Sequence, residues 1–341
     1  MKGFVKPGIL NILEKMRKLF FTGGLCLLLP YHILAQEQND SLRSRTDKYI
    51  ITNFSASRTL DVQFEQNTNT DYKLKQNGQT FEKGNVSNFS KVKVSSAFSI
   101  LKTKQWELFG NARYNYYHLN LENIELPLGP NLAIPANRND EYHYWDVSVN
   151  GSYRTKLLNK TVIGISTFSL DGSEKGVERI KGYATVMMVL KHTPTTVINV
   201  GLAGMINASV VPVIPIFSYW HKFNSEWLLD ITMPKYAYLR HSFTKRDRLS
   251  VGMSLENEEF YIRSKEDAMP KVCYFSKSEV KAEVIYESLI GKHFYLTFRG
   301  GGIQPFSSRL YDKKRIYKKP YIDISQPMNA FFNVGISYNL F

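Results

Sequence analysis

Seven histidines are spread along the chain, at positions 32, 118, 143, 192, 221, 241 and 293. A hydrolytic site built on a β-strand needs a His and a Ser on one face, at i and i+2, with an acid or amide at hand. None of the seven has a serine two residues later. His241 and Ser242 are neighbours, which a strand would send to opposite faces. His118 and Asn120 share a face but no nucleophile accompanies them. The expectation is a set of isolated polar or interfacial histidines and no catalytic residue.

The other chemistry-bearing groups read the same way. Histidine and cysteine do not occur at metal-ligand spacings, and the acids Glu256, Glu258 and Glu259 read as a solvated loop, not as a calcium site. Gly300-Gly301-Gly302 is followed by no helix bearing a Lys-Ser/Thr pair, so it is not a phosphate cradle. Glycines there would relieve crowding or allow curvature in a sheet. No metal or cofactor is expected.

The remaining charges fall into a pattern that concerns architecture. Val280, Ala282, Val284 and Tyr286 alternate with Glu279, Lys281, Glu283 and Glu287. Side chains of a strand point to opposite faces at every second residue, so one face is greasy and the other charged. If the greasy face meets lipid, a one-residue slip would drive four charges into hydrocarbon, at several kcal/mol in all. The same test sends Glu107, Arg113, Asp146, Arg154 and Arg299 inward, which makes Glu107, Arg113, Asp146, Arg154, Glu279, Lys281, Glu283 and Arg299 candidate lumen-lining residues of both signs. Trp106, Tyr116, Trp145, Tyr153, Trp220, Trp227 and Tyr338 are candidates for interfacial girdles.

These stripes recur from end to end. Strands are expected from about Ile50 to Gln66, around Val92 to Ile100, from Trp106 to Tyr116 and from His143 to Tyr153. Others follow at Thr161 to Leu170, Ile180 to Leu190, Val197 to Asn207, Val213 to Lys222, Trp227 to Met233, Tyr236 to Phe243, Leu249 to Arg263 and Val280 to Tyr286. Phe294 to Gly300 and a closing strand from Asn329 to Phe341 complete the set. Long connections are expected at Asn67 to Asn85, Leu121 to Asp140, Asp171 to Gly176, Ser264 to Lys277 and Pro305 to Met328. Short turns lie between them, such as Lys102 to Lys104 and Leu157 to Lys160. Long and short connections mostly take turns, as in bacterial barrels with both termini on the periplasmic side. A sandwich has no reason to segregate loop length in this way.

The fold class expected is therefore all-β, a transmembrane antiparallel up-and-down β-barrel of about fourteen strands. Merging short strands between Tyr219 and Phe243 would give twelve. Mean hydropathy is −0.28, and past residue 35 no stretch approaches the ~20 apolar residues a helical span needs. Residues 1–35 read as a signal peptide: Arg17 and Lys18, an apolar run from Leu19 to Leu34, then cleavage after Ala35, with Met16 a possible start. Cys26 lies within the apolar run and does not end it, against a lipoprotein site. A short arm at residues 36–47 precedes the barrel at 48–341. Five basic residues and one acid leave with the signal, so the net charge falls from +14 to +10. Cys273 then remains as a lone thiol, which leaves no internal disulfide. The loop residues Arg309, Lys313, Lys314, Arg315, Lys318 and Lys319 form a candidate polyanion-binding segment that could dock lipopolysaccharide, with a mobile hydrated loop as the plain alternative. No nucleic-acid motif accompanies the basic balance.

Pro212-Val-Ile-Pro215, Trp227-Leu-Leu-Asp230, Met233-Pro234 and Leu249-Ser-Val-Gly252 resemble a family of Bacteroidetes-type outer-membrane β-barrels known only as a domain of unknown function. Val334 to Phe341 resembles the closing strand of bacterial outer-membrane proteins, with one departure: Leu340, not Phe341, is in phase with the apolar stripe. The resemblance implies a place in the outer membrane of a Gram-negative bacterium and insertion by the outer-membrane assembly machinery. It carries no catalytic residues. Three functions stay open: a non-enzymatic pore or solute-uptake channel for an unknown small solute, a closed structural or surface-binding barrel acting through its loops, and, more distantly, a lipid-modifying barrel enzyme.

Overall fold

Every described strand hydrogen-bonds to a neighbour on each side, which is what hydrocarbon demands of a backbone that crosses it. The computed structural model describes residues 58–127, 137–206, 213–264, 269–313 and 320–340. The chain runs β1 (Leu60–Asn67), β2 (Thr70–Gln76), β3 (Gln79–Lys102), β4 (Trp106–Glu125), β5 (Arg138–Leu157) and β6 (Lys160–Ser173). It continues with β7 (Gly176–His192), β8 (Thr196–Ile206), β9 (Val213–Lys222), β10 (Trp227–Met233) and β11 (Tyr236–Ser242). Last come β12 (Asp247–Ile262), β13 (Cys273–Ile290), β14 (Phe294–Asp312), β15 (Ile322–Ser325) and β16 (Asn329–Tyr338). The described residues contain no α-helix.

Sixteen strands make a fourteen-strand barrel because two of them stand in for two others. In the lower ring β1 pairs with β3 on one side and β16 on the other, and β16 pairs with β14. Above Asn67 the places of β1 and β16 are taken by β2 and β15, which pair with each other and with β3 and β14. The ring is thus closed antiparallel at both levels. Connections of two to four residues lie at the end that holds Leu60 and Tyr338, as the periplasmic turns of bacterial barrels do.

The lipid face is the apolar stripe. Val147, Val149, Phe168, Val186, Leu202, Val251, Val284, Phe298, Phe332 and Ile336 are exposed outward. Trp106 packs on Tyr153, Trp227 on His241 and Phe294 on Tyr338, with ring centroids 4.4–5.1 Å apart, near the periplasmic strand ends. Such amphipathic rings belong at a membrane interface.

Several boundaries differ from those expected. The segment from Asn67 to Asn85 is a hairpin, β2 turning into β3 through Asn77 and Gly78, both with positive φ. That is the geometry of a tight hairpin turn that splays neither strand. It stands above the apolar band, so it carries no greasy stripe to betray it. For the same reason β4 runs on to Glu125, β5 starts at Arg138, β13 starts at Cys273 and β14 runs on to Asp312. β6 and β7 meet across Glu174 and Lys175 alone. At the other extreme, β1 begins at Leu60, and Ile50 to Ala56 lie outside the described residues, as do the proposed signal, the arm and Phe341.

One feature of strand length shapes the interior. β10 and β11 have seven residues each, and β11 pairs with β12 only up to Ser254. Seven residues tilted by about 40° rise roughly 18 Å, short of the ~25 Å apolar band. Above this low hairpin β12 leans across the barrel. Phe260 of β12 stacks on Tyr142 of β5 (4.5 Å between centroids) and tilts against Tyr117 of β4 at 5.0 Å. In a ring of fourteen, β5 and β12 are opposite each other. The extracellular half is therefore filled by a core that includes Tyr72, Phe89, Tyr117, Phe260, Tyr274 and Leu310. Tyr72 gives its hydroxyl to Glu82, and burial together with that carboxylate pushes the phenol's pKa up.

Reversing the lipid face at one position tests the arrangement. Val251→Arg, near mid-membrane on the outer face, is expected to cost about 2–4 kcal/mol in reversible urea unfolding from lipid vesicles. A stability equal to that of the unmodified protein would place this face elsewhere.

Candidate functional site

The lumen holds its charge in two groups. The first joins five cations, Lys91, Lys93, Lys277, Lys281 and Arg299, to five carboxylates, Glu65, Glu256, Glu258, Glu279 and Glu283. Lys281 Nζ lies 2.8 Å from Glu65, 2.9 Å from Glu256 and 3.6 Å from Glu279. Lys91 bridges Glu65, at 2.7 Å, to Glu258. Lys93 reaches Glu256 at 3.2 Å, Lys277 reaches Glu279 at 2.7 Å, and Arg299 spans Glu256 and Glu283 at 2.7 and 2.8 Å. Tyr238 donates its hydroxyl to Glu283. Lys91, Lys281, Glu65 and Glu279 are 0% exposed. A charge with no water around it is tolerable only when paired and hydrogen-bonded, and this lattice is balanced five against five.

The second group faces β5, β6 and β7. Lys181 sits 3.0 Å from Asp146, 3.0 Å from Asp171 and 3.4 Å from Glu259. Arg179 binds Asp171 at 3.1 Å and lies over the Tyr274 ring. Tyr261 and Tyr144 give their hydroxyls to Asp171 at 2.7 and 3.2 Å. Against this group lies a cavity of about 590 Å³, bounded by Arg113, Asp146, Thr167, Lys181, Tyr183, Met205, Lys235 and Glu259 among others. Lys235 reaches it from the tip of the low hairpin, where its carbonyl accepts a hydrogen bond from Leu255 N–H at 2.8 Å.

The candidate lumen residues divide between these surroundings. Glu279, Lys281, Glu283 and Arg299 are members of the lattice. Arg113 and Asp146 border the cavity, with the Arg113 guanidinium 5.8 Å from the Tyr144 ring centre. Glu107 and Arg154 lie near the periplasmic turns, on the same faces as Arg113 and Asp146. Glu256, Glu258 and Glu259 lie within the strand expected from Leu249 to Arg263 and are not the solvated loop that three close acids suggest. They belong to β12, and Glu258 is 1% exposed. Consecutive Glu258 and Glu259 point to opposite faces, yet both meet cations, because this part of β12 crosses the interior and has protein on either side.

The basic segment also changes. Arg309 is a strand residue of β14 paired with Asp323 of β15 at 3.3 Å. Lys313 binds Glu178, which also takes Arg263 and Ser173, so one carboxylate clasps three extracellular connections. Lys314, Arg315, Lys318 and Lys319 lie outside the described residues. Cys273 is a buried free thiol at the head of β13.

Sequence reasoning missed Glu65, Lys91, Lys93, Lys277, Asp171, Arg179, Lys181 and Lys235 as interior residues. Lys91 and Lys93 alternate with Val92 and Val94, which is the same signal that identified Lys281 and Glu283. Lys235 had no such signal, since it lies in a turn.

The lattice can be tested by removing one member. Lys91→Met would strand Glu65 and Glu258 without their shared cation, and a loss of about 3–5 kcal/mol in vesicle unfolding is expected. Adding Glu258→Gln should restore part of it. Additive losses would mean the two groups do not interact.

The chain closes into an antiparallel β-barrel of fourteen strands. It is similar to the COG4313 outer membrane channel from Pseudomonas putida F1, at 8% identity and a TM-score of 0.35, over 89% of this chain and 100% of that one. A Pseudomonas aeruginosa FadL homologue aligns at 7% identity and a TM-score of 0.33, over 84% of this chain and 91% of that one. The outer membrane protease OmpT from Escherichia coli aligns at 7% and 0.28, over 82% and 96%. These likenesses concern the fold and carry no activity. No curated protein matches the chain. Residues 161–339, more than half of the chain, match the family described as a domain of unknown function, DUF6268, and the chain belongs to that family.

Proposed function

We propose that this chain is a non-enzymatic solute-uptake channel of a Gram-negative outer membrane, with an off-axis route along β5–β9. The observation that carries the reading is the uneven filling of the interior. On the side of β1, β3 and β12–β14, ten charges interlock, several with no exposed surface. Across from them a cavity of about 590 Å³ stays open. A barrel built only to be solid would pack to one density throughout. A wide axial pore would not carry a neutralised lattice through part of its section. The cavity reaches Lys235, where the wall is lowest, so solute enters over the hairpin tip and leaves along the inner faces of β6–β9.

An export signal at residues 1–35 and insertion by the outer-membrane assembly machinery belong to the same reading. Docking of lipopolysaccharide by the basic segment is a weaker part of it, because Arg309 and Lys313 are already paired with Asp323 and Glu178. Enzymatic chemistry is not part of it. His143 shares a hydrogen bond with Tyr114 on the outer face at 2.6 Å, and His221 with Thr196 at 2.9 Å near the periplasmic rim. Neither stands beside an acid and a serine.

The aromatic core of the extracellular half favours a second reading, a closed barrel that works through its outer surface. Planar-bilayer recording separates the two. The purified, folded protein is expected to open in discrete steps, and Thr167→Trp, which fills the cavity, to lower the unit conductance by half or more. A folded but electrically silent protein would overturn the channel reading in favour of the closed one.

A further inference from the structure

Two neighbouring strands break the rule of alternation. In the upper parts of β8 and β9, outward Leu202 and Phe217 meet lipid, yet the inward residues Ala203, Ile214 and Ile216 are apolar as well. Thr167 of β6, Tyr183 of β7 and Met205 of β8 border the cavity. Residues an even number of places away on each strand face the same lumen. On β6 these are Ile165 and Ile163, on β7 Met187, and on β8 Ala203, which pairs with Ile214 of β9, while Gly201 pairs with Ile216. All six side chains named besides the glycine are half-buried, whereas lattice members across the lumen are close to fully buried. This part of the wall is mainly apolar over four strands, with Thr167, Thr185, Asn199 and Ser218 on the same inner face.

The cavity at its extracellular end is polar, and its lining cations, Arg113, Lys181 and Lys235, outnumber its lining carboxylates, Asp146 and Glu259. Lys181 is shared by three carboxylates. No carboxylate among the described residues lies within 4.0 Å of the charged atoms of Arg113 or Lys235, which both border the cavity. From Met205 at the cavity to Gly201, short of the polar pair Asn199 and Ser218, the apolar part of β8 spans roughly 13 Å. Water alone gains nothing from such an apolar stretch, and an apolar solute alone gains nothing from an excess of cations at its head.

We propose that the solute is an amphipathic monoanion, a carboxylate carried on a hydrocarbon chain. Its head group binds Arg113 and Lys235, and its tail lies along the inner faces of β6–β9. This rests on the channel reading above and names its cargo. The hairpin tip brings Lys235 to the level of exposed Met233, so the head-group site adjoins the lipid-facing surface where an amphiphile already partitions.

The test uses the full protein in detergent-free lipid nanodiscs, with radiolabelled dodecanoate as probe and dodecyltrimethylammonium as the cationic counterpart. Saturable dodecanoate binding above that of empty discs is expected, with at least tenfold preference over the cation. Ala203→Trp and, independently, Ile216→Trp should each weaken it at least tenfold. Arg113→Gln combined with Lys235→Gln should abolish the head-group preference while leaving tail-dependent binding. Heat-modifiable gel mobility verifies that each variant is folded. Dodecanoate uptake equal to that of empty discs, or unchanged by either tryptophan in folded protein, overturns the proposal. Conductance of the same preparations keeps the two readings apart: a conducting barrel that does not bind dodecanoate sinks the cargo alone, and a silent barrel that binds it sinks the channel.

Discussion

Hydrocarbon solvates neither a peptide group nor an ionised side chain, and this refusal organises the molecule. It closes the sheet into a ring, since an open edge within the membrane would leave a row of unpaired donors and acceptors. It also sorts side chains by parity, sending Val284 outward and Glu283 inward on one strand. Where the constraint ends, the ring changes. Beyond Asn67, β1 and β16 give way to β2 and β15, which need only to pair and not to present a greasy face. The part outside the apolar band is free to lean inward, and β12 does so until Phe260 meets Tyr142.

The charges that lipid excludes must be settled inside, and their arrangement has a structural consequence. Glu65 stands on β1, the first strand of the barrel. It is held by Lys91 of β3 and Lys281 of β13, and Asn333 of β16 donates to it at 3.4 Å. These strands flank the seam at which the first and last strands meet. Buried ion pairs return little net stability once desolvation is counted, but a mispaired register would leave several charges stranded at once. The lattice therefore acts mainly on specificity: it makes one closure register far better than its neighbours. Gly301 belongs to the same fit, since a Cβ there would fall 2.0 Å from the Ala282 carbonyl oxygen, where Glu283 and Arg299 come together.

How much of this was legible in the residues depended on whether lipid was there to write it. Within the apolar band, alternation marked strands such as β4, β5, β13 and β16, the face of Glu279, Lys281, Glu283 and Arg299, and the number fourteen. Outside the band the same rule is silent. The hairpin of β2 and β3 and the upper turns of β13 and β14 looked like polar connections, because water accepts polar residues on both faces of a strand. Glu256, Glu258 and Glu259 misled for a related reason: adjacent acids suggest solvent, whereas here cations wait on each side of a strand that crosses the interior. Which residues would meet across the lumen could not be read at all. The pairing of Lys91 with Glu258 spans 167 positions and depends on how far β12 leans.

Loss of alternation thus has two meanings in one barrel, and they can be told apart. In the upper half of β12 both faces touch protein, so successive residues from Glu258 to Tyr261 are nearly all buried and include both charges and rings. In the upper parts of β8 and β9 both faces are apolar, the inner one at Ala203, Ile214 and Ile216, but only the outer one meets lipid; the inner one looks into a lumen that the described residues leave partly open. A strand packed on both sides is explained by its neighbours. An apolar stretch facing open space is not, since exposing it to water is unfavourable at roughly 25 cal/mol per Å². Folding alone would favour polar residues there, as on the inner face of β5 at Ser148, Asn150 and Ser152, so the side chains of β8 and β9 are better accounted for by something that passes over them.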